Sequence, residues 1–303
     1  MKKFICVLLT LVMAATFCLV NVGAEDNFFW GDVTCDGALL HEDLVRLKQF
    51  AYLESYVRSG IYERSADVYR DDVIDAKDVV ILNSFFGGLG VLTLPVTPVA
   101  SEPISGGKIS VSSTNYLKGS GQVELTVTAE GLPDITALDL EISSVTKGLF
   151  FVRIEDLSGS LQETHGTDDG HFYPIPVPFL SENGMNKNFN GPLCKLIFNI
   201  SEEVYNVYDG DEFDVNIVAS NKHGGTFQVS EDFTKMTLVD YDTQGGTVTV
   251  VEPPTDTECA LEILEYLVGR LGEIGDSADY NGDGEVDIKD ALWLLKRLVG
   301  IEV

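Results

Sequence analysis

Three textures follow one another along the chain. From 26 to 92, apolar residues recur at helical spacing between short acidic turns. From 106 to 251, apolar and polar residues alternate with a period of two, as half-buried strands do. From 257 to 303 the spacing is helical again. In the middle texture Val123, Leu125, Val127 and Ala129 alternate with Glu124, Thr126 and Thr128, and Leu138, Leu140 and Ile142 alternate with Asp139 and Glu141. Leu196, Phe198 and Ile200, then Phe213, Val215 and Ile217, then Val248 and Val250 continue the series. Turn chemistry separates these runs at Gly119-Ser120-Gly121, Asp209-Gly210-Asp211 and Gly245-Gly246. The pattern predicts an all-β sandwich of about nine strands, from near Ile109 to Val251, in two packed antiparallel sheets. Pro95, Pro98 and Pro103 make 93–105 a linker, and Pro253-Pro254 make 252–256 a stiffer one.

The first 24 residues read as a secretion signal: Lys2 and Lys3, an apolar run from Phe4 to Val20, then the small residues Gly23 and Ala24. That places the remainder outside the cell, and no later segment is apolar enough to span a bilayer. The net charge is −28, with 48 acidic against 20 basic residues. Such a surface repels nucleic acid and anionic lipid, and suits a protein that gathers cations. Cys35, Cys194 and Cys259 are widely separated and odd in number, which gives neither a disulfide framework nor a zinc site.

The sharpest motif is Asp279-Tyr280-Asn281-Gly282-Asp283-Gly284-Glu285-Val286-Asp287-Ile288-Lys289-Asp290. It puts oxygen side chains at positions 1, 3, 5 and 12 of a 12-residue loop, glycine at position 6, and the Glu285 carbonyl at position 7, which is the EF-hand plan for calcium. Like charges ~4 Å apart repel by about 4 kcal/mol at an effective dielectric of 20. Asp279, Asp283 and Asp290 therefore need a cation between them. Ala291, Leu294, Leu295 and Leu298 then share one face of a following helix. The N-terminal segment carries the plan twice. Asp32, Thr34, Asp36 and Asp43, with the Ala38 carbonyl, form the first ligand set. Asp67, Asp71 and Asp78 form the second, in which Tyr69 stands at position 3 and Asp72 replaces the turn glycine.

Asp32…Asp36-Gly37…Asp43-Leu44-Val45-Arg46-Leu47-Lys48, followed by the second loop with Val79, Leu82 and Phe85, resembles a dockerin module, a pair of EF-hand-like loops and helices. Asp279…Asp290-Ala291-Leu292-Trp293-Leu294-Leu295-Lys296-Arg297 is similar to the second half of one. The resemblance implies modules over 26–92 and 257–303 that dock on cohesin-bearing scaffold proteins of cellulosomes, the extracellular complexes that degrade polysaccharides. It places partner contacts at His41, Glu42, Lys48 and Gln49 in the first repeat, at Ala76, Lys77, Asn83 and Ser84 in the second, and at Ile288, Lys289 and Lys296 in the C-terminal copy. The segments Gly191-Pro192-Leu193-Cys194-Lys195-Leu196-Ile197-Phe198 and Gly245-Gly246-Thr247-Val248-Thr249-Val250 resemble late strands of a cohesin. The implied architecture is a cohesin-like jelly roll over 106–251 flanked by small helical EF-hand-like modules. The jelly roll would then receive dockerin-bearing enzymes.

Two rival functions remain open. A carbohydrate-binding module would use aromatics such as Phe172, Tyr173, Tyr205 and Tyr208 as a sugar platform. A glycoside hydrolase accessory subunit, or a catalytic or metal role for His165, Asp168, Asp169 and His171, is the other; Gly166-Thr167-Asp168-Asp169-Gly170 reads first as a turn. No nucleophile elbow, metalloprotease helix or phosphate loop is present, and no particular pair of carboxylates is singled out. The expectation is a secreted, non-catalytic, calcium-dependent adaptor.

Overall fold

The computed structural model describes residues 29–53, 63–89, 93–99, 101–164, 174–202 and 205–301. Residues 1–24, read from the sequence as a secretion signal, and residues 165–173, with His165, Asp168, Asp169, His171, Phe172 and Tyr173, lie outside the described residues. The helices are α1 (His41–Tyr52), α2 (Glu63–Ala66), α3 (Ala76–Gly87), α4 (Asp256–Leu267) and α5 (Ile288–Leu298). The strands are β1 (Ile104–Val111), β2 (Thr114–Leu117), β3 (Gln122–Glu130), β4 (Ala137–Val145), β5 (Leu149–Asp156), β6 (Ile175–Leu180), β7 (Gly191–Ile200), β8 (Glu212–Ala219), β9 (Phe227–Val229), β10 (Met236–Gln244) and β11 (Gly246–Val251). Two compact units result. The larger holds Met1–Thr114, Gln122–Ser201 and Phe213–Thr247; the smaller holds Asn115–Gly121, Glu202–Glu212 and Val248–Val303.

The larger unit contains a jelly-roll-like pair of sheets. One runs β10-β1-β3-β7-β5, antiparallel except that β1 lies parallel to β10. In the other, β4 pairs with β8, β6 and β9, and β9 pairs with the start of β10. One strand thus serves both sheets: Met236 to Leu238 bond β9, and Val239 onward bonds β1. The alternation in β3 holds, with Val123, Leu125, Val127 and Ala129 buried.

Three features depart from the sequence pattern. β6 reads Ile-Pro-Val-Pro-Phe-Leu, is buried throughout, and carries no alternation to reveal it. Its prolines lack N–H; besides pairing with β4 it bonds the 160–162 segment, Gln162 N–H donating to Pro178 O (2.9 Å) and Leu180 N–H to Ser160 O (2.8 Å). Among the described residues there are eleven strands rather than about nine, the extra ones including the short β2 and β9. Lastly, the described part of 93–105 is no loose tether. Val96 N–H donates to Val68 O (2.8 Å), Val99 N–H to Thr234 O (3.1 Å), and β1 already begins at Ile104.

The N-terminal helices belong to this same unit. Leu44, Leu47 and Tyr52 of α1 and Val79 to Leu82 of α3 form one buried cluster with Ala137, Leu180, Phe227, Val229, Phe233 and Met236 of the sandwich. Four consecutive apolar residues bury a helix nearly all round. The same cover corrects the reading of β4: Asp139, expected on a polar face, is buried.

In the smaller unit α4 starts from a capping box in which Thr255 accepts the Glu258 N–H and Glu258 accepts that of Thr255. It packs on α5 through Cys259, Ala260, Ile263, Ala278, Ala291 and Leu294. Among the described residues, no helix is long and apolar enough to cross a membrane.

Candidate functional site

The three 12-residue loops close on one hydrogen-bond lattice. In the first, the position-1 carboxylate of Asp32 accepts the N–H groups of Asp36 (3.1 Å) and Gly37 (2.9 Å). The position-12 carboxylate of Asp43 accepts Thr34 N–H (2.9 Å) with one oxygen and Leu40 N–H (2.8 Å) with the other. In the second, Asp67 accepts from Asp71 and Asp72, both at 3.2 Å, and Asp78 accepts from Tyr69 and Asp75, both at 2.9 Å. In the third, Asp279 accepts from Gly282 (2.8 Å), Asp283 (3.1 Å) and Gly284 (2.8 Å), and Asp290 from Asn281 (3.0 Å) and Asp287 (2.8 Å). At position 5, Asp36, Asp71 and Asp283 each accept the N–H two residues on. Asp43, Asp78 and Asp290 are all buried at the start of the following helix, where a carboxylate complements the helix dipole.

The turn itself needs positive φ. Position 6 supplies it with Gly37 (84°), Asp72 (64°) and Gly284 (88°). Asp72 shows why the second loop keeps its path without glycine, since a short polar side chain tolerates the left-handed region.

The donor set of the first and third loops is oxygen throughout, the chemistry that calcium prefers. Each ionised carboxylate offers about four lone-pair sites, so the lattice leaves acceptor capacity at Asp32, Asp36, Asp279 and Asp283. The Ala38 and Glu285 carbonyls stand at position 7. Among the described residues no three acidic, histidine or cysteine side chains converge as a ready cation cage. Asp43 also accepts the Thr34 hydroxyl (2.9 Å). Asp32, Asp36 and Asp43 in the first loop, and Asp279, Asn281, Asp283 and Asp290 in the third, are the side chains that would hold a calcium ion there.

The second loop does not fit an ion in the same way. Lys77 Nζ is paired with Asp71 and, at 3.0 Å, with Asp75. Burial alone would lower the Lys77 ammonium, but the two carboxylates carry it above the ordinary lysine value. At Asp75 burial outweighs the ammonium and the carboxyl is raised; Asp78 is pushed well up by burial. Tyr69 at position 3 is buried, with its phenol beside the Met236 backbone.

The expected partner residues divide by surroundings. His41 and Glu42 are exposed, and the His41 ring tilts against Phe86 at 5.1 Å. Lys48 and Gln49 are half-buried, and burial lowers the Lys48 ammonium. In the second repeat Ala76 and Ser84 are buried, Lys77 is committed to its loop, and Asn83 donates to Glu182 O at 3.1 Å. That set offers no open helix face, because α3 is covered by the chain's own sandwich.

On α5, Ile288, Lys289 and Lys296 are exposed. Ile288, Leu292 and Leu295, with Val299 just past the helix end, are exposed apolar residues at helical spacing. Lys289 reaches back to Asp283 and Asp287, both at 3.0 Å, and its hydrogen bond lowers the Asp283 carboxyl. Trp293 turns away from this line. It stacks on Tyr280 (6.4 Å between centroids) under the Arg297 guanidinium (5.3 Å).

Sequence reasoning missed two groups. Asp139 accepts the His223 N–H (2.7 Å) and lies 3.2 Å from its Nδ1, both residues being buried beside Tyr52. Both side chains are sealed from solvent. The Lys77 clamp was the other; lysine at position 11 in both the second and third loops was its available signal. For the sugar platform, Tyr208 is exposed and Tyr205 half-buried. An open groove of about 650 Å³ includes Trp30 and Phe50, but Arg70 covers the Trp30 ring at 5.6 Å.

No protein-family model matches the chain, and no curated protein does. Solved structures similar to about half of the chain include cohesin modules. The seventh ScaB type I cohesin of Pseudobacteroides cellulosolvens is 14% identical, with 50% of this chain and 96% of that one covered and a TM-score of 0.38. A type I cohesin in a cohesin–dockerin complex from Clostridium thermocellum is 15% identical, covering 51% and 98%, with a TM-score of 0.37. The third ScaC cohesin of Acetivibrio cellulolyticus, solved with the ScaB dockerin, is 14% identical, covering 48% and 99%, with a TM-score of 0.36.

Proposed function

We propose that the protein is a secreted, non-catalytic adaptor of a cellulosome-type complex, and that its α5 docks on a cohesin-bearing scaffold protein in a calcium-dependent manner. One observation carries this reading: the third loop, with its closed lattice, delivers directly into a helix whose outer line is apolar. Ile288, Leu292, Leu295 and Val299 lie exposed along it, with Lys296 beside them. A helix laid by its apolar line into a partner's surface is a recurring recognition mode.

The chain's own residues divide the work. Asp279 and Asp290 tie the loop to the start of α5 through backbone N–H groups, and Ala291 and Leu294 anchor the helix on α4. Bound calcium would supply the positive charge that offsets Asp279, Asp283 and Asp290. The first loop prepares α1 in the same manner, with Asp32, Asp36 and Asp43 as its carboxylates. The jelly roll would receive the dockerin of another protein, which is what makes the chain an adaptor rather than an end-piece.

Purified full-length protein, titrated over an immobilised type I cohesin, should bind in calcium and release in EGTA. Binding unaffected by EGTA, or retention on cellulose or xylan with no affinity for any cohesin, would replace this reading with the carbohydrate-binding one.

A further inference from the structure

We infer that the second loop carries its own cation: the Lys77 ammonium takes the place of a divalent ion there, so this loop and α3 stay folded without metal. The inference refines the calcium reading by saying which loop lies outside it.

Four observations converge. Lys77 Nζ bridges the position-5 carboxylate of Asp71 and the position-9 carboxylate of Asp75. Its side chain is only 16% exposed, whereas that of Lys289, at the same place in the third loop, is 60% exposed. A half-buried ammonium held between carboxylates leaves them less readily than an exposed one, which can swing into water. The Tyr69 ring lies 5.8 Å from Lys77 Nζ, adding a cation–π contact. Tyr69 also occupies position 3, and its side chain is spent on the sandwich near Met236, so no ligand comes from there.

The surroundings fix the arrangement from outside. Ala76 N–H donates to His223 O (3.2 Å), and Gly224, at φ 100°, lies so close to Asp75 that an added Cβ would fall 2.9 Å from its carboxyl. The sandwich thus holds Asp75 against Lys77. In the third loop Tyr280 and Val286 pack on the α4–α5 core, but Lys289 itself stays largely exposed over Asp283 and Asp287.

Two arms test the inference on full-length protein. In the first, Asp36→Ala with Asp283→Ala disables the other two loops, and calcium chloride is titrated calorimetrically. The double variant should take up no ion; one ion bound to it would overturn the inference. In the second, Lys77→Met is compared with wild type in EGTA by hydrogen exchange. The variant should lose amide protection over 67–87 and melt at lower temperature, while Lys289→Met leaves that region untouched. Protection in Lys77→Met equal to wild type would equally overturn it. A wild type that binds no calcium would count against the calcium reading of the first and third loops instead, because the EGTA arm reads Lys77 directly.

Discussion

The α3 and α5 helices follow loops with one lattice, yet they are used in opposite ways. α3 buries Val79, Val80, Ile81 and Leu82 without a gap, and its loop is clamped by a half-buried lysine. α5 buries Ala291 and Leu294 and leaves Ile288, Leu292, Leu295 and Leu298 exposed. Loop chemistry therefore sets where a helix begins, and the composition of the next three turns decides whether it becomes core or surface. Partner contacts cannot be transferred between repeats by position alone: Ala76 and Ser84 match an outward pattern but are buried, whereas Ile288 is open.

The contrast can be broken at several points. The largest effect belongs to Leu82→Ala, which empties a fully buried site and should cost about 2–5 kcal/mol in denaturant unfolding. Leu298→Ala, at an exposed position, should stay within about 0.5 kcal/mol. Equal costs would erase the distinction between the helices. Next, Asp279→Ala combined with Asp283→Ala should remove the calcium-dependent amide protection of α5, with the protection of α1 and α3 unchanged in hydrogen exchange. A smaller, purely functional effect is expected of Leu292→Asp: at least about tenfold weaker cohesin binding with an unaltered melting temperature. Arg297→Ala breaks an exposed pair with Asp256 and should change stability by nothing measurable; a clear loss would mean that the stacked Trp293 depends on it.

Much of this was legible beforehand. The three acidic turns were visible because the spacing of their carboxylates is local, and most strands because alternation is local. β6 was hidden by Pro176 and Pro178, which break the alternation that a half-buried strand would show. Asp139 was misread because a neighbouring layer buries the second face of β4, and such tertiary cover leaves no trace in a period-two pattern. The burial of α3 did have a signal: Val79-Val80-Ile81-Leu82 is apolar on every side, which an exposed docking helix would not be. The pairing of Lys77 with Asp75 had a local signal, the position-11 lysine that the third loop shares, but its partial burial rests on a fold contact with the 220–226 turn, which no local pattern shows.

Hydrogen exchange on the full-length chain, with calcium and in excess EGTA, reads both helices in one experiment. The account predicts that amides of 279–298 lose protection when calcium is withdrawn while those of 76–87 keep theirs. Equal protection of both segments in EGTA, or loss from both together, would contradict it.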